Sequence, residues 1–180
     1  MNSLQKKNPL VIILVEPSGE INLGSIARLC ANFDVDELRL VKPSCNPNNL
    51  ESRKMAIKGK IFLEKSKQYL SLLDAISDCD KVIATCGRID HGAIPLEPPE
   101  KAFSWLMEDY SSNPIAIVFG REDRGLSNAE LQLANKVITL NSDSSYPSLN
   151  ISHAVGIILH ELSKFNKPQN NSLNIASHIP

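Results

Sequence analysis

A chain of 180 residues with 42% hydrophobic and 22% charged residues has ordinary globular usage, enough for one domain with a real core and against intrinsic disorder. Its formal net charge of -1 excludes a surface coated in positive charge, and no apolar run approaches the roughly 18 residues of a membrane helix. The average hides an asymmetry: residues 1–67 hold eleven Lys and Arg against seven Asp and Glu, while residues 68–180 hold eight against thirteen. A polyanionic partner is permitted if the basic groups gather on one face.

Lysines precede the apolar run 10–15, LVIILV, which is too short for a signal-peptide core and reads as a first strand. The cytoplasm is the expected compartment. In the stretch EPSGEINLGSIAR that follows, Gly19 and Gly24 stand five apart, close to G-x-x-x-x-G-K-[ST] but without its lysine, which disfavours NTP hydrolysis. Ile26, Leu29, Cys30 and Phe33 form one apolar helical stripe. Arg28 lies off that stripe; taken alone, it reads as a solvated or ion-paired arginine.

The run 38–41 reads as a second strand. Residues 42–60 are turn-rich and carry Arg53, Lys54, Lys58 and Lys60, candidate phosphate contacts or the cations of a solvated loop. Helical spacing is predicted over 66–78 and 99–110, strands at 81–85, 115–119 and 136–140, and a final helix from about 150 to 165. Ser127 and Glu130 are spaced as a capping box. Strands alternating with helices predict an α/β fold with a mainly parallel sheet flanked by helices. One domain is expected over 1–166, with a polar tail over 167–180 that is frayed or loosely docked. Cys30, Cys45, Cys79 and Cys86 have neither C-x-x-C nor zinc-site spacing. They are expected as reduced thiols, with no metal.

Two further stretches exceed what a scaffold needs. In IVFGREDRGLSNAEL (117–131) a strand ends at Gly120 among charged residues, where the carboxyl edge of an open α/β sheet binds ligands. Gly120 and Gly125 permit close backbone approach, although the same charges could pair among themselves. In SYPSLNISHAVGIILHEL (145–162), Ser148, Asn150 and Ser152 cluster where a helix begins and can cap it. His153 has no Ser/Asp partner at a hydrolase spacing, and there is no G-x-S-x-G, so serine hydrolysis is unsupported.

Taken together, NLGSIAR (22–28), VFGREDRGL (118–126) and SLNISHAV (148–155) resemble, in order and spacing, the three signature motifs of the SpoU/TrmH-type RNA 2′-O-ribose methyltransferases of the SPOUT superfamily. The turn TCGR (85–88) is similar to that of the TrmJ branch, which methylates the ribose of tRNA nucleotide 32. It has Cys86 and Gly87 where that branch often has serine and alanine, a change that backbone contacts tolerate. The chain ends near the last motif, without the C-terminal extension of some TrmJ-like enzymes.

The resemblance implies a C-terminal trefoil knot, a homodimer with sites shared between protomers, and S-adenosylmethionine held by Thr85, Cys86, Gly87, Gly120, Leu140, Pro147, Ser148, Leu149 and Asn150. It implies Arg28 as the catalytic arginine, with Asn22, Glu122, Ser148 and Asn150 as the other polar catalytic positions. Candidate RNA contacts are Arg88, Arg121 and Arg124, with Arg53, Lys54, Lys58 and Lys60. An arginine is always charged near neutral pH, so Arg28 is expected to stabilise a developing alkoxide and clamp a phosphate. Two other readings stay open: a non-catalytic RNA-binding protein on this scaffold, and a doubly wound nucleotide-binding protein. The latter lacks G-x-G-x-x-G.

Overall fold

LVIILV is apolar at every position and forms β1 (Leu10–Val15), with all six side chains buried. The chain continues through α1 (Glu20–Asn32), β2 (Glu37–Val41), α2 (Leu50–Ala56), a 3-10 turn (Ile57–Gly59) and α3 (Lys60–Glu64). Then come β3 (Lys67–Tyr69), α4 (Leu72–Ile76), β4 (Lys81–Thr85), α5 (Pro99–Met107) and β5 (Ile115–Phe119). The last elements are α6 (Asn128–Leu131), β6 (Lys136–Ile138) and α7 (Ile151–Phe165). The computed structural model describes residues 8–87, 92–140 and 149–165; the expectations placed on Arg88, Pro147, Ser148 and the tail lie outside the described residues.

The six strands make one sheet in the order β3-β2-β1-β5-β4-β6, and every pairing is parallel. This is the α/β architecture expected. Period-2 geometry sends alternate residues of β1 to opposite faces. Leu10, Ile12 and Leu14 join a core with Ile26 of α1, Phe103 of α5 and Ile158 of α7. Val11, Ile13 and Val15 join another with Ala75 of α4 and Leu131 of α6. Both faces are covered, which is why the central strands β1 and β5 read as unbroken apolar runs. On β2 the run is broken by Arg39, 1% exposed. Its guanidinium donates to Glu37, Asp78 and the Ala75 carbonyl, so the buried charge is paired.

Two expectations are corrected. Residues 66–78 do not form one helix: β3 is followed by α4, and the side chain of Ser71 caps α4 by accepting from the Asp74 N–H. The stretch 42–60 is not a plain loop. The Asn49 side chain accepts from the Glu51 N–H and starts α2, after which the 3-10 turn and α3 pack with α2 along α1. Gly24 lies inside α1, and a Cβ there would come within 2.3 Å of the Ser52 carbonyl oxygen. Its lack of a side chain lets the backbones of α1 and α2 come into direct contact.

Candidate active site

The carboxyl ends of β4, β5 and β6 open on a cleft of about 240 Å³ closed by α7. Thr85 to Gly87 form one rim, Phe119 to Gly125 another, and Ile138, Leu140, Leu149 and Ile158 supply apolar wall. Hydrogen bonds tie the strand ends together: Thr85 Oγ1 donates to the Val118 carbonyl at 3.0 Å, and the Cys86 N–H donates to the Ile138 carbonyl at 2.8 Å. Gly87 then stands at the rim with open space where a Cβ would be, no atom of another described residue lying within 4 Å. Gly120 is different. A Cβ there would lie 2.3 Å from the Gly125 carbonyl carbon and the Leu126 nitrogen, so the loop's own backbone, rather than a ligand, requires that glycine. Gly125 closes the loop at φ 67, trading backbone hydrogen bonds with Arg121.

Arg121 holds this loop. Its Nε and Nη2 donate to the Glu16 carboxylate at 2.7 and 2.6 Å. Nη1 and Nη2 donate to Glu130 at 2.8 and 2.9 Å, and Nη1 also reaches the Gly125 carbonyl at 3.3 Å. All five guanidinium donors are therefore engaged, and the side chain is 12% exposed. The fork, working against a smaller desolvation effect, lowers the pKa of Glu16. Burial pushes Glu130 up, but hydrogen bonds from Arg121 and Ser127 outweigh it and hold the carboxyl at about 2. Glu130 also completes the capping box on α6 expected from its spacing with Ser127.

Beside the cleft, residues far apart in sequence meet. Gly19, the N-cap of α1, has no side chain to cap the helix. The Glu122 carboxylate does so from the loop, accepting from the Gly19 N–H at 3.1 Å, the Ser18 hydroxyl at 3.0 Å and the Ser18 N–H. A negative group there also complements the positive end of the helix dipole. Asn22, one turn into α1, accepts from Asn150 Nδ2 at 3.0 Å. Asn150 Oδ1 in turn accepts from the Ser152 N–H and hydroxyl, capping α7. The structure thus brings Asn22, Glu122 and Asn150 together, one from each motif.

A family model described as the SpoU rRNA Methylase family matches residues 9–160. The chain belongs to that family. The tRNA (cytidine-2'-O-)-methyltransferase TrmJ of Methanocaldococcus jannaschii is 39% identical over 155 residues, covering 84% of this chain and 66% of the relative. Its counterpart from Sulfolobus acidocaldarius is 38% identical over 152 residues, 84% of this chain and 63% of the relative. The crystal structure of TrmJ from Z. mobilis ZM4 superposes with a TM-score of 0.79 at 32% identity, covering 88% of this chain and 70% of that one. The chain spans just under two thirds of the length of these curated relatives.

In this SpoU-family chain the other expected residues divide sharply. Thr85, Cys86, Gly87, Gly120, Leu140 and Leu149 line the cleft. Arg28 does not. It is exposed, and its side chain has no hydrogen-bond or ion-pair partner among the described residues. Six positions along α1 from Asn22, it is turned about 120° and displaced about 9 Å down the axis. Arg121 is corrected from a phosphate contact to an internal clamp, because two carboxylates already saturate it. Arg124 is 64% exposed but paired with Glu16 and Asp123, and Arg53 pairs with Glu64 at 3.0 Å. Lys54, Lys58 and Lys60 are exposed. Sequence reasoning missed Glu16, whose one signal was its place directly after the first strand. No group of His, Cys, Asp and Glu among the described residues could hold a metal ion.

Proposed function

We propose that this chain is an S-adenosylmethionine-dependent RNA 2′-O-ribose methyltransferase acting on tRNA, at nucleotide 32 of the anticodon loop. The observation that carries the reading is the meeting of Asn22, Glu122 and Asn150 beside a cleft bordered by Thr85–Gly87, Gly120 and Leu140. The M. jannaschii and S. acidocaldarius relatives bear the name of tRNA 2′-O-methyltransferases, which supports tRNA as the substrate. The family model's own description names rRNA, so another tRNA nucleotide or an rRNA nucleotide is the second reading.

The cleft fits the cofactor: its walls are apolar, its rims are backbone, and Gly87 leaves unfilled space at the edge. Thr85 to Gly87, Gly120, Leu140 and Leu149 to Asn150 would hold S-adenosylmethionine, with Pro147 and Ser148 completing the set. Bound there, it supplies an electrophilic methyl group on a sulfonium centre. The chain's residues must position a ribose 2′-hydroxyl and stabilise the charge left on oxygen as its proton passes to solvent. Arg28 supplies a fixed positive charge and a planar fork that serves both the oxyanion and a neighbouring phosphate. Asn22 and Asn150 fix the polar rim, and Glu122 fixes the start of the helix that carries Asn22 and Arg28. Orientation of this kind contributes much of the rate.

Because Arg28 is turned away from the cleft of its own chain, it is assigned to the cleft of a second copy. The protein then works as a homodimer with composite sites, for which Ile21 on α1 and Ile157 on α7, 55% and 43% exposed, offer apolar contact. The knotted C-terminal region belongs to the same proposal, as does a cytoplasmic location. No helix among the described residues is long and apolar enough to cross a membrane. The deciding experiment is methyl transfer from labelled S-adenosylmethionine to total tRNA and to rRNA, with the modified nucleotide mapped. Label at the ribose of tRNA nucleotide 32 is expected; label confined to rRNA, or none, rejects the reading.

A further inference from the structure

Charge pairing separates the fifteen described lysines and arginines into two groups. Eight face a carboxylate. Of the seven whose side chains have no hydrogen-bond or ion-pair partner among the described residues, four lie on α1 or on the helical segment packed along it: Arg28 on α1, and Lys54, Lys58 and Lys60 on α2, the 3-10 turn and α3. Lys42 and Lys65 bracket that segment, and Lys101 lies on α5. Residues 42–65 carry six Lys or Arg against two Glu, and one of those glutamates, Glu64, is taken up by Arg53. The near-neutral chain thus gathers more than half of its described unpaired cations on α1 and the helices packed along it.

We propose that the RNA docks across this α1–α2–α3 flank, its phosphates met by Lys54, Lys58 and Lys60 and its path leading to Arg28. The proposal rests on the reading of the chain as a tRNA methyltransferase and names the surface that reading leaves open. Backbone geometry links the parts. A Cβ at Gly59 would fall 2.3 Å from the Ala27 carbonyl oxygen and 2.7 Å from the Arg28 nitrogen, so the turn bearing Lys58 sits directly on α1 beside Arg28. Within that turn Ile57 is 52% exposed and held at φ 50 and ψ -110, a region a β-branched residue occupies only under strain. It presents an apolar surface, among the cations, on which a ribose or an unstacked base can rest. The second copy proposed above meets α1 and α7, at Ile21, Ile157 and Arg28; it is the poorer occupant of the α2–α3 part of the flank, since two such parts meeting would set like charges against each other.

The test is fluorescence anisotropy of labelled tRNA over a salt series, with calorimetry of S-adenosylmethionine binding as the check on the fold. Removing one phosphate-binding cation lowers the slope of log K against log salt by roughly 0.7–0.9. The triple variant Lys54→Gln, Lys58→Gln, Lys60→Gln is expected to lower the slope by roughly 2–3 and the affinity at least ~10-fold, with cofactor affinity unchanged. Lys58→Gln alone should lower the slope by the amount due to a single phosphate, whereas the matched charge removal Lys101→Gln should leave it unchanged. An unaltered slope in the triple variant overturns the proposal. So does an equal fall in Lys101→Gln, or weakened self-association with tRNA affinity intact, which would make the flank an interface between copies. If the wild type itself binds no tRNA, the failure lies in the tRNA reading, and this docking surface falls with it.

Discussion

Asn150 Nδ2 donates to Asn22 Oδ1 at 3.0 Å across 128 positions of sequence, joining the start of α7 to the first turn of α1. Since Asn150 Oδ1 is occupied by Ser152, each end of the Asn150 amide is assigned one job. One end caps α7 and the other orients Asn22. Glu122 fixes the neighbouring N-cap of α1, so the two helices and the 120–125 loop are registered to each other.

Asn150→Ala removes both the cap and the link. Loss of an N-cap costs about 1 kcal/mol, and the expected outcome is a lower melting temperature together with a larger loss of methyl transfer. Asn150→Ser keeps a capping oxygen but cannot reach Asn22. It should recover stability without recovering rate; recovery of both would show that the contact to Asn22 is incidental.

The two glycines of the cleft give opposite expectations. Gly87→Val adds its side chain to open space, so the melting transition should stay near wild type while S-adenosylmethionine affinity falls at least ~10-fold, a loss of about 1.4 kcal/mol. Gly120→Val would drive a Cβ into the Gly125–Leu126 backbone and should destabilise the fold by about 2 kcal/mol or more. Calorimetry and thermal melts on both variants distinguish them. Undiminished cofactor affinity in Gly87→Val would remove the cleft from consideration as the cofactor site.

The pairing of Glu130 with Arg121 predicts acid sensitivity. The folded carboxyl titrates at about 2, against an ordinary 4.5. The stability this gives is complete above pH 4.5 and is lost as the pH falls toward 2. Glu130→Gln should therefore melt below wild type at pH 6 and converge on it near pH 2. A gap between the two melting curves that stays constant over that window would mean the charge of Glu130 is irrelevant to stability.

Much of this was legible in the sequence because the strands are buried on both faces. An unbroken run such as IAIVF at 115–119 has few alternatives once turns bound it. Residues 66–78 misled because Leu70 and Leu73 complete a helical apolar spacing, yet they are 82% and 60% exposed. Ser71 between them is a cap, and a cap is decided by its backbone. The helices within 42–60 were obscured by Pro43, Pro47 and the asparagines that lead up to Asn49. At the site, local motifs marked Asn22, Glu122 and Asn150 but could not reveal what they touch. Arg121 looked available for phosphate because its partner Glu16 is 105 positions away, a pairing that only the adjacency of β1 and β5 creates.

Arg28 provides the sharpest test of the composite site. Arg28→Ala should keep its cofactor affinity, because Arg28 does not line the cleft, and should lose at least ~100-fold in methyl transfer, as removal of a transition-state charge partner does. Arg28→Lys keeps the charge without the planar fork and should be nearly as poor. At a cofactor concentration well below the raised Kd of Gly87→Val, the two variants are each nearly inactive for different reasons, one lacking the arginine and the other a filled cleft. In mixed dimers, one of the two sites combines the intact cleft of the Arg28→Ala copy with the arginine of the Gly87→Val copy. Random exchange makes half of the dimers mixed, so about a quarter of wild-type activity should return on mixing. If Arg28 served the cleft of its own chain, each intact cleft would still lack its arginine and mixing would restore nothing.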